Sequence, residues 1–361
     1  MRAAVLEAPG AAAVVTDVEL DAPMPTEVLI RTAAAGVCHT DFSALNDLMD
    51  FPTPMVMGHE GAGVVEAVGS GVTSVRPGDR VVTTLSDFCG SCQYCVAGRP
   101  YLCRRMGRGR KLSAPARITR GGVAVTPFCG VGSFAEQILV NENAVARVGN
   151  EIGLDRAALL GCGVLTGLGA VFRTAKVKVG DTVAVLGCGG VGLSIVQGAR
   201  IAGATIIIAV DPIASKRELA RRFGATNAIG ADPEEVTATA RELTGDGVDH
   251  AFESAGHAPT IEQAFALTGR GGTTTVVGAP GDVSFRLPAA ALMLDRRIQG
   301  SLMGSNRFRV DVPTYMQLYL QGRLLLDELI SARFKLDELD QAWSTFRGGD
   351  GDGARSVIVF E

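Results

Sequence analysis

The chain carries eight cysteines and four histidines. Four of the cysteines, Cys89, Cys92, Cys95 and Cys103, fall within 15 residues as C-x2-C-x2-C-x7-C. Thiolates so close in sequence suit one tetrahedral zinc, with Zn–S bonds of about 2.3 Å. Gly90, Gly98 and Pro100 would let the chain turn around the ion. Four protein ligands leave no position for water or substrate, so such a site is structural. An iron–sulfur cluster can also use four cysteines, and the plain alternative is four idle thiols.

A second chemistry is suggested by Gly187-Cys188-Gly189-Gly190-Val191-Gly192, which matches G-x-G-x-x-G. It stands between an apolar run and a helical pattern, the context in which the motif binds dinucleotides. Gly187 permits the tight turn, Gly189 a close approach to a pyrophosphate, and Gly192 close packing of helix on strand. The helix N-terminus offers free N–H groups to phosphates. Asp211 ends the next strand, 19 residues after Gly192, close to the usual separation of about 20. Its carboxylate suits a ribose 2′-hydroxyl and repels a 2′-phosphate, which favours NAD over NADP. The bland alternative is a glycine turn in any doubly wound domain, with Asp211 as a cap.

Three further residues are scattered. Cys38 lies in Gly36-Val37-Cys38-His39-Thr40-Asp41, His59 in Gly58-His59-Glu60, and Cys162 in Gly161-Cys162-Gly163. Two cysteines and a histidine with an open fourth position form a known catalytic zinc arrangement. Spacing alone does not assemble them, and a lone buried cysteine is more often a small apolar filler.

These residues need elements to hold them. Residues 1 to about 150 contain short β-branched runs near turns, such as Glu27–Arg31, Gly63–Val68 and Asp79–Thr83, and read as a β-rich domain. Asp155–Lys176 reads as one helix, acidic at its start and basic at its end, with Cys162 inside it. Strands and helices then alternate: Thr182–Gly187, Gly189–Ala202, Thr205–Asp211, Ser215–Gly224, Val248–Ser254 and Thr273–Gly278. Fully apolar strands in that alternation mean a parallel sheet covered on both faces. The tail has a helix near Val312–Gln321 and a final strand, Ser356–Phe360.

The 361 residues are enough for two domains, and 47% hydrophobic with 20% charged residues is a globular composition. A net charge of −4 gives no reason to expect nucleic acid or an anionic membrane as partner. The basic run Arg104–Lys111 reads as a solvated loop. Met1–Leu20 lacks a signal-peptide pattern, and no apolar run is long enough to span a membrane. These absences point to the cytoplasm, where cysteines serve metals rather than disulfides.

The stretch Gly58-His59-Glu60-Gly61-Ala62-Gly63-Val64-Val65, then Gly69 and Gly78-Asp79-Arg80-Val81, resembles the zinc signature of medium-chain alcohol dehydrogenases. Gly36–Asp41, the four-cysteine lobe, Gly161-Cys162-Gly163 and Gly187–Gly192 follow in that family's order, across essentially the whole chain. The resemblance implies an α/β fold: a GroES-like β-rich catalytic domain of 1–163 and 303–361, with a zinc lobe at about 88–104, and a Rossmann NAD-binding domain of 164–302.

It further implies two zinc ions per chain and NAD(H). Cys38, His59 and Cys162 would hold the catalytic zinc, with Glu60 as a transient ligand and Asp41 orienting His59. Thr40 would take the alcohol proton. Many relatives carry a histidine three residues later to pass it on, where this chain has Ser43. His39, Thr166, Lys216, Val277 and Arg355 would join Gly187, Gly189, Gly190, Val191, Gly192 and Asp211 around the cofactor. Met49, Leu85, Phe128, Cys129 and Leu302 would line a substrate pocket, their apolar character suiting a medium-chain or aromatic primary alcohol.

The nearest rival is a formaldehyde dehydrogenase acting on an S-hydroxymethyl thiol adduct. Its glutathione-dependent branch uses an arginine just past the fourth cluster cysteine, where this chain has Gly107, although Arg104, Arg105 and Arg108 are close. A non-enzymatic NAD-binding member would have lost Cys38, His59 or Cys162. A polyol enzyme would favour polar pocket residues. Relatives pair their Rossmann domains edge to edge, which implies a homodimer or homotetramer, with Thr273–Gly278 and Gly281–Leu287 as the contact.

Overall fold

The computed structural model describes residues 1–46, 51–106, 110, 114–279, 281–348 and 354–360. Three sheets organise them. The third is all parallel, in the spatial order Asn227–Ile229, Ile206–Val210, Thr182–Leu186, Val248–Glu253, Thr268–Val276, Arg297–Gly300. Numbered along the chain this is 3-2-1-4-5-6, the doubly wound order of dinucleotide-binding domains. Its central strands are apolar on both faces because helices such as Gly190–Ala202 and Ala258–Leu267 cover them.

The other two sheets come from the N-terminal half and the tail. In the larger one, Glu27–Gly36 is central, paired with Glu60–Val68, Gln137–Asn141 and the tail strand Arg355–Val359. The chain therefore leaves this sheet, builds the parallel one and returns. The register sets Gly36 opposite both Glu60 and Val357, so Cys38, His59 and Arg355 emerge at one end of the sheet.

The helix expected over Asp155–Lys176 is broken. Leu154–Leu159 is α-helical, Gly163–Gly169 starts a new helix, and Ala170–Ala175 continues as a π-helix. Cys162 caps the second helix with φ −143° rather than lying inside one. The cause is close packing: a Cβ on Gly161 would collide with the Thr83 carbonyl oxygen. Two short strands, Asn227–Ile229 and Arg297–Gly300, have little apolar patterning and were not expected from sequence. Arg297–Gly300 forms one edge of the parallel sheet, and residues 281–287 have no strand.

One apolar cluster joins the two halves. Ala34, Ala62 and Val82 of the β-rich sheet pack with Leu159, Leu165, Val185, Phe252 and Met316. Among the described residues no helix is long and apolar enough to cross a membrane.

Candidate active site and metal centres

Each residue of the first cluster is set by backbone geometry. Cys38 caps the helix His39–Leu45, and Asp41, three residues on, accepts a hydrogen bond from the Cys38 N–H at 3.0 Å. Gly58, at φ +88°, turns the chain into the strand that begins at Glu60, because a Cβ there would meet the Phe134 nitrogen at 2.6 Å. His59 is thereby held with no exposed surface. Cys162 enters through the helix break.

The ligand atoms of Cys38, His59, Glu60 and Cys162 lie within 4.8 Å of one another. Donors bound tetrahedrally at 2.3 Å stand about 3.8 Å apart, so the cluster is of a size to close on one ion. His59 Nδ1 lies 2.8 Å from Asp41 Oδ1, while its Nε2 is buried with no hydrogen-bond partner. An unpartnered buried nitrogen beside two sulfurs is a donor set that fits a metal ion.

The electrostatics agree. The neighbouring Cys162 sulfur holds the Cys38 thiol well below its ordinary value, and Cys38 together with burial holds Cys162 well above. Burial pulls the His59 imidazole down, but Asp41 and the two sulfurs reverse this and leave it well above the usual range. Burial pushes the Glu60 carboxyl up to about 7, against the opposing pull of Arg355.

Arg355 links this cluster to the glycine turn. Its Nη1 lies 3.5 Å from Glu60 Oε1 and donates to the Val37 carbonyl at 3.1 Å. A Cβ on Gly163 or Gly190 would collide with the guanidinium, so both glycines make room for it. Gly187 is at φ +95°, Gly189 caps the helix Gly190–Ala202, and a Cβ on Gly192 would strike the Gly187 carbonyl. Asp211 is buried, accepting from Cys188 N–H at 2.8 Å and Ile213 N–H at 2.9 Å. Each carboxylate oxygen keeps a further lone pair. Lys216 sits in the first turn of the next helix, Thr166 is buried below Gly163, and His39 is exposed at the mouth. Val191 and Val277 pack on the interdomain core cluster, and Val277 N–H donates to the Glu253 carbonyl at 2.8 Å.

Beside the metal cluster the wall is apolar. Phe128 has no exposed surface and meets the His59 ring edge-on at 5.7 Å, and Phe51 at 4.8 Å. Cys129 is buried at φ +51°, its thiol pushed up to about 12 by burial. Leu85 packs on both of the large core clusters. Leu302 is 47% exposed. Its neighbour Met303 points inward instead, its sulfur 3.9 Å from Cys162 Sγ and 3.6 Å from Thr166 Oγ1. Sequence alone carried no signal for Met303, because its direction depends on left-handed backbone from Met303 to Ser305. Met49, Gly107 and Arg108 lie outside the described residues. Ser43 Oγ donates to the His39 carbonyl at 3.1 Å.

The second cluster gathers Cys89, Cys92, Cys95 and Cys103, also within 4.8 Å, with Cys92 and Cys95 sulfurs 3.5 Å apart. Backbone N–H groups of Cys92, Cys89 and Arg105 point at the sulfurs of Cys89, Cys103 and Cys103, at 3.3, 3.3 and 3.4 Å. Such donors suit thiolates. Hydrogen bonds from Ser91 bring the Cys89 thiol down to about 6.

Comparison with known proteins matches residues 24–150 to the alcohol dehydrogenase GroES-like domain and 190–321 to the zinc-binding dehydrogenase domain. The chain is 39% identical to the NDMA-dependent alcohol dehydrogenase of Amycolatopsis methanolica, covering 99% of this chain and 98% of that one. The chain belongs to the zinc-dependent medium-chain alcohol dehydrogenase family. This dehydrogenase is also 37% identical to the S-(hydroxymethyl)glutathione dehydrogenase of Escherichia coli O6:H1, over 99% of each chain. Among solved structures it resembles benzyl alcohol dehydrogenase from Acinetobacter calcoaceticus, with a TM-score of 0.94 and 32% identity over 100% and 99% of the two chains. As a member of that family the dehydrogenase is an oxidoreductase, and both of its cysteine clusters fit zinc.

Proposed function

We propose that this zinc-dependent alcohol dehydrogenase is NAD(H)-linked and exchanges a hydride between a medium-chain or aromatic primary alcohol and its aldehyde. The observation that carries the reading is Arg355, which bridges the Cys38–His59–Cys162 cluster and the glycine turn. Metal and dinucleotide would thus meet across one buried side chain.

Zinc held by Cys38, His59 and Cys162 would supply a Lewis acid that acidifies an alcohol hydroxyl and polarises a carbonyl. The nicotinamide, once bound, would accept or return the hydride. Asp41 holds His59 so that Nε2 faces the sulfurs. Glu60, with one oxygen unpartnered, could approach the ion when another ligand leaves. Thr40 Oγ1 lies 3.8 Å from Cys38 Sγ, which supports it as the hydroxyl that would receive the substrate proton. With Ser43 bonded to backbone, onward transfer would use cofactor hydroxyls or water. Phe128, Cys129, Leu85 and Met303 would exclude water from the reacting carbon. Asp211 supports NAD over NADP, since a buried carboxylate repels a 2′-phosphate.

The apolar surface near the sheet edge supports a homodimer as the minimal assembly. Val283, Phe285, Leu292, Met293 and Leu294 are all exposed beside Arg297–Gly300, and Met293 is 88% exposed. Met293→Glu should shift elution on a sizing column to a smaller species; unchanged elution counts against this contact.

A thiol-adduct substrate is the second reading, favoured by the likeness to the glutathione-adduct enzyme. The deciding assay follows NADH and NADPH formation from a panel of primary alcohols. It is run with and without thiols, with and without NDMA, and alongside zinc per chain. Thiol-independent turnover of benzyl or medium-chain alcohols with NAD and two zincs per chain supports the first reading. Activity confined to formaldehyde plus thiol supports the second.

A further inference from the structure

Glu253 is buried without exposed surface at the end of the strand Val248–Glu253, inside the crevice where open α/β sheets bind their ligands. Its Oε1 accepts from Ala255 N–H at 2.9 Å and Gly256 N–H at 2.7 Å, and the Thr260 hydroxyl, 2.7 Å from Oε1 and 2.8 Å from the His257 carbonyl, shares its one hydrogen between them. Its own carbonyl accepts from Val277 N–H at 2.8 Å and Gly278 N–H at 3.0 Å. One residue therefore ties down the loops that leave two neighbouring strands.

Those loops touch each other and the glycine turn. A Cβ on Gly278 would lie 2.5 Å from Gly256 N, and one on Gly256 would lie 2.9 Å from the Ala279 carbonyl oxygen. Ser254 Oγ donates to the carbonyls of Leu186 and Gly187, at 3.0 and 2.9 Å. Gly256 and Gly278 thus let the two loops approach backbone to backbone, and a Cβ on Gly278 would also lie 3.0 Å from Glu253 Oε2. That oxygen is buried without a hydrogen-bond partner.

We infer that the Glu253 carboxylate is a positioning group for the dinucleotide: it fixes the 254–256 loop, which packs on Gly278 and with it would floor the nicotinamide half of the site. This rests on the dinucleotide reading above. All three donors converge on Oε1, so an amide at this position keeps the acceptor and places its NH2 where no bond exists to lose. A side chain without an oxygen leaves the Ala255 and Gly256 N–H groups unsatisfied and frees the 254–256 loop, while the backbone carbonyl keeps its bonds to Val277 and Gly278.

The test compares wild type, Glu253→Gln, Glu253→Ala and Thr260→Val as full-length zinc-loaded protein. Dissociation constants for NADH come from nucleotide fluorescence, and zinc content, melting temperature and the alcohol KM are measured in parallel. Glu253→Ala should weaken NADH binding by about tenfold or more, with zinc content and alcohol KM near wild type, and Glu253→Gln should restore most of the affinity. Thr260→Val removes one donor only and should weaken binding about two- to fourfold. It carries the test if Glu253→Ala does not fold. Wild-type affinity in Glu253→Ala, or in Thr260→Val where it alone is measurable, overturns the inference. So does a Glu253→Gln as weak as Glu253→Ala. If the wild type binds NADPH and not NADH, the reading of Asp211 fails, and the Glu253 comparison is read with NADPH.

Discussion

Asp41 Oδ1 stands 2.8 Å from His59 Nδ1, with both side chains fully buried. The contact fixes the ring so that Nε2 is the nitrogen left for the ion. Asp41 also receives the Cys38 N–H, so one carboxylate positions two of the proposed ligands. Asp41→Ala should weaken zinc binding at this centre by about 10–100-fold. Zinc retained per chain after graded chelation measures it; retention equal to wild type would show that Asp41 does not tune the metal.

Cys162→Ala removes a ligand while leaving the glycine turn untouched. Turnover should fall below about one per cent of wild type, with NADH affinity largely kept. Activity and nucleotide titration on the same preparation separate the two effects. Sustained turnover would sink the assignment of this cluster as the catalytic centre.

Cys95→Ala strikes the other cluster. Its four sulfurs are all committed to one another, so loss of one should destabilise the fold before it alters chemistry. A loss of more than about 2 kcal/mol is expected, read as an earlier thermal melt with one zinc fewer per chain. A variant as stable as wild type would argue against a structural ion there.

Asp211→Gly should relax the preference for NAD over NADP by about tenfold or more. The same carboxylate caps two backbone N–H groups, so about 1–3 kcal/mol of stability should go with it. Parallel kinetics with both nucleotides and a thermal melt keep the two apart. Unchanged selectivity would place discrimination elsewhere.

Glu27 gives a pH dependence of stability. Burial pushes its carboxyl up, but Arg110 and Arg117 more than offset this and hold it below the usual value. A carboxyl depressed in the folded state contributes stability above its unfolded value of about 4.3, and loses it as pH falls through the folded value. Glu27→Gln should therefore cost about 3–5 kcal/mol near pH 7, because Arg117 stays buried without its counter-charge. The gap to wild type should narrow progressively as pH falls below about 4. Denaturant melts from pH 7 to pH 3 would show this; a gap constant with pH would mean that the charge is not what matters.

Some of this was legible along the chain. The four-cysteine lobe was readable because its ligands lie on one short loop, and chain connectivity alone keeps them close. The glycine turn and Asp211 were readable for the same reason, since strand, turn and helix are consecutive. The run from Asp155 to Lys176 has helical composition throughout, yet it breaks at Gly161 because Thr83, distant in sequence, presses against it.

What the amino-acid order determines by itself is therefore the set of local devices: which residues can ligate, which glycines can turn, which runs must be buried. Only tertiary structure brings Cys38, His59 and Cys162 together, since strand register sets Gly36 opposite Glu60 and a distant contact bends the chain at Cys162. It likewise turns Met303 inward and Leu302 outward, and makes Glu253 the meeting point of two loops. These arrangements depend on packing between segments far apart in sequence, and local propensity carries no record of such contacts.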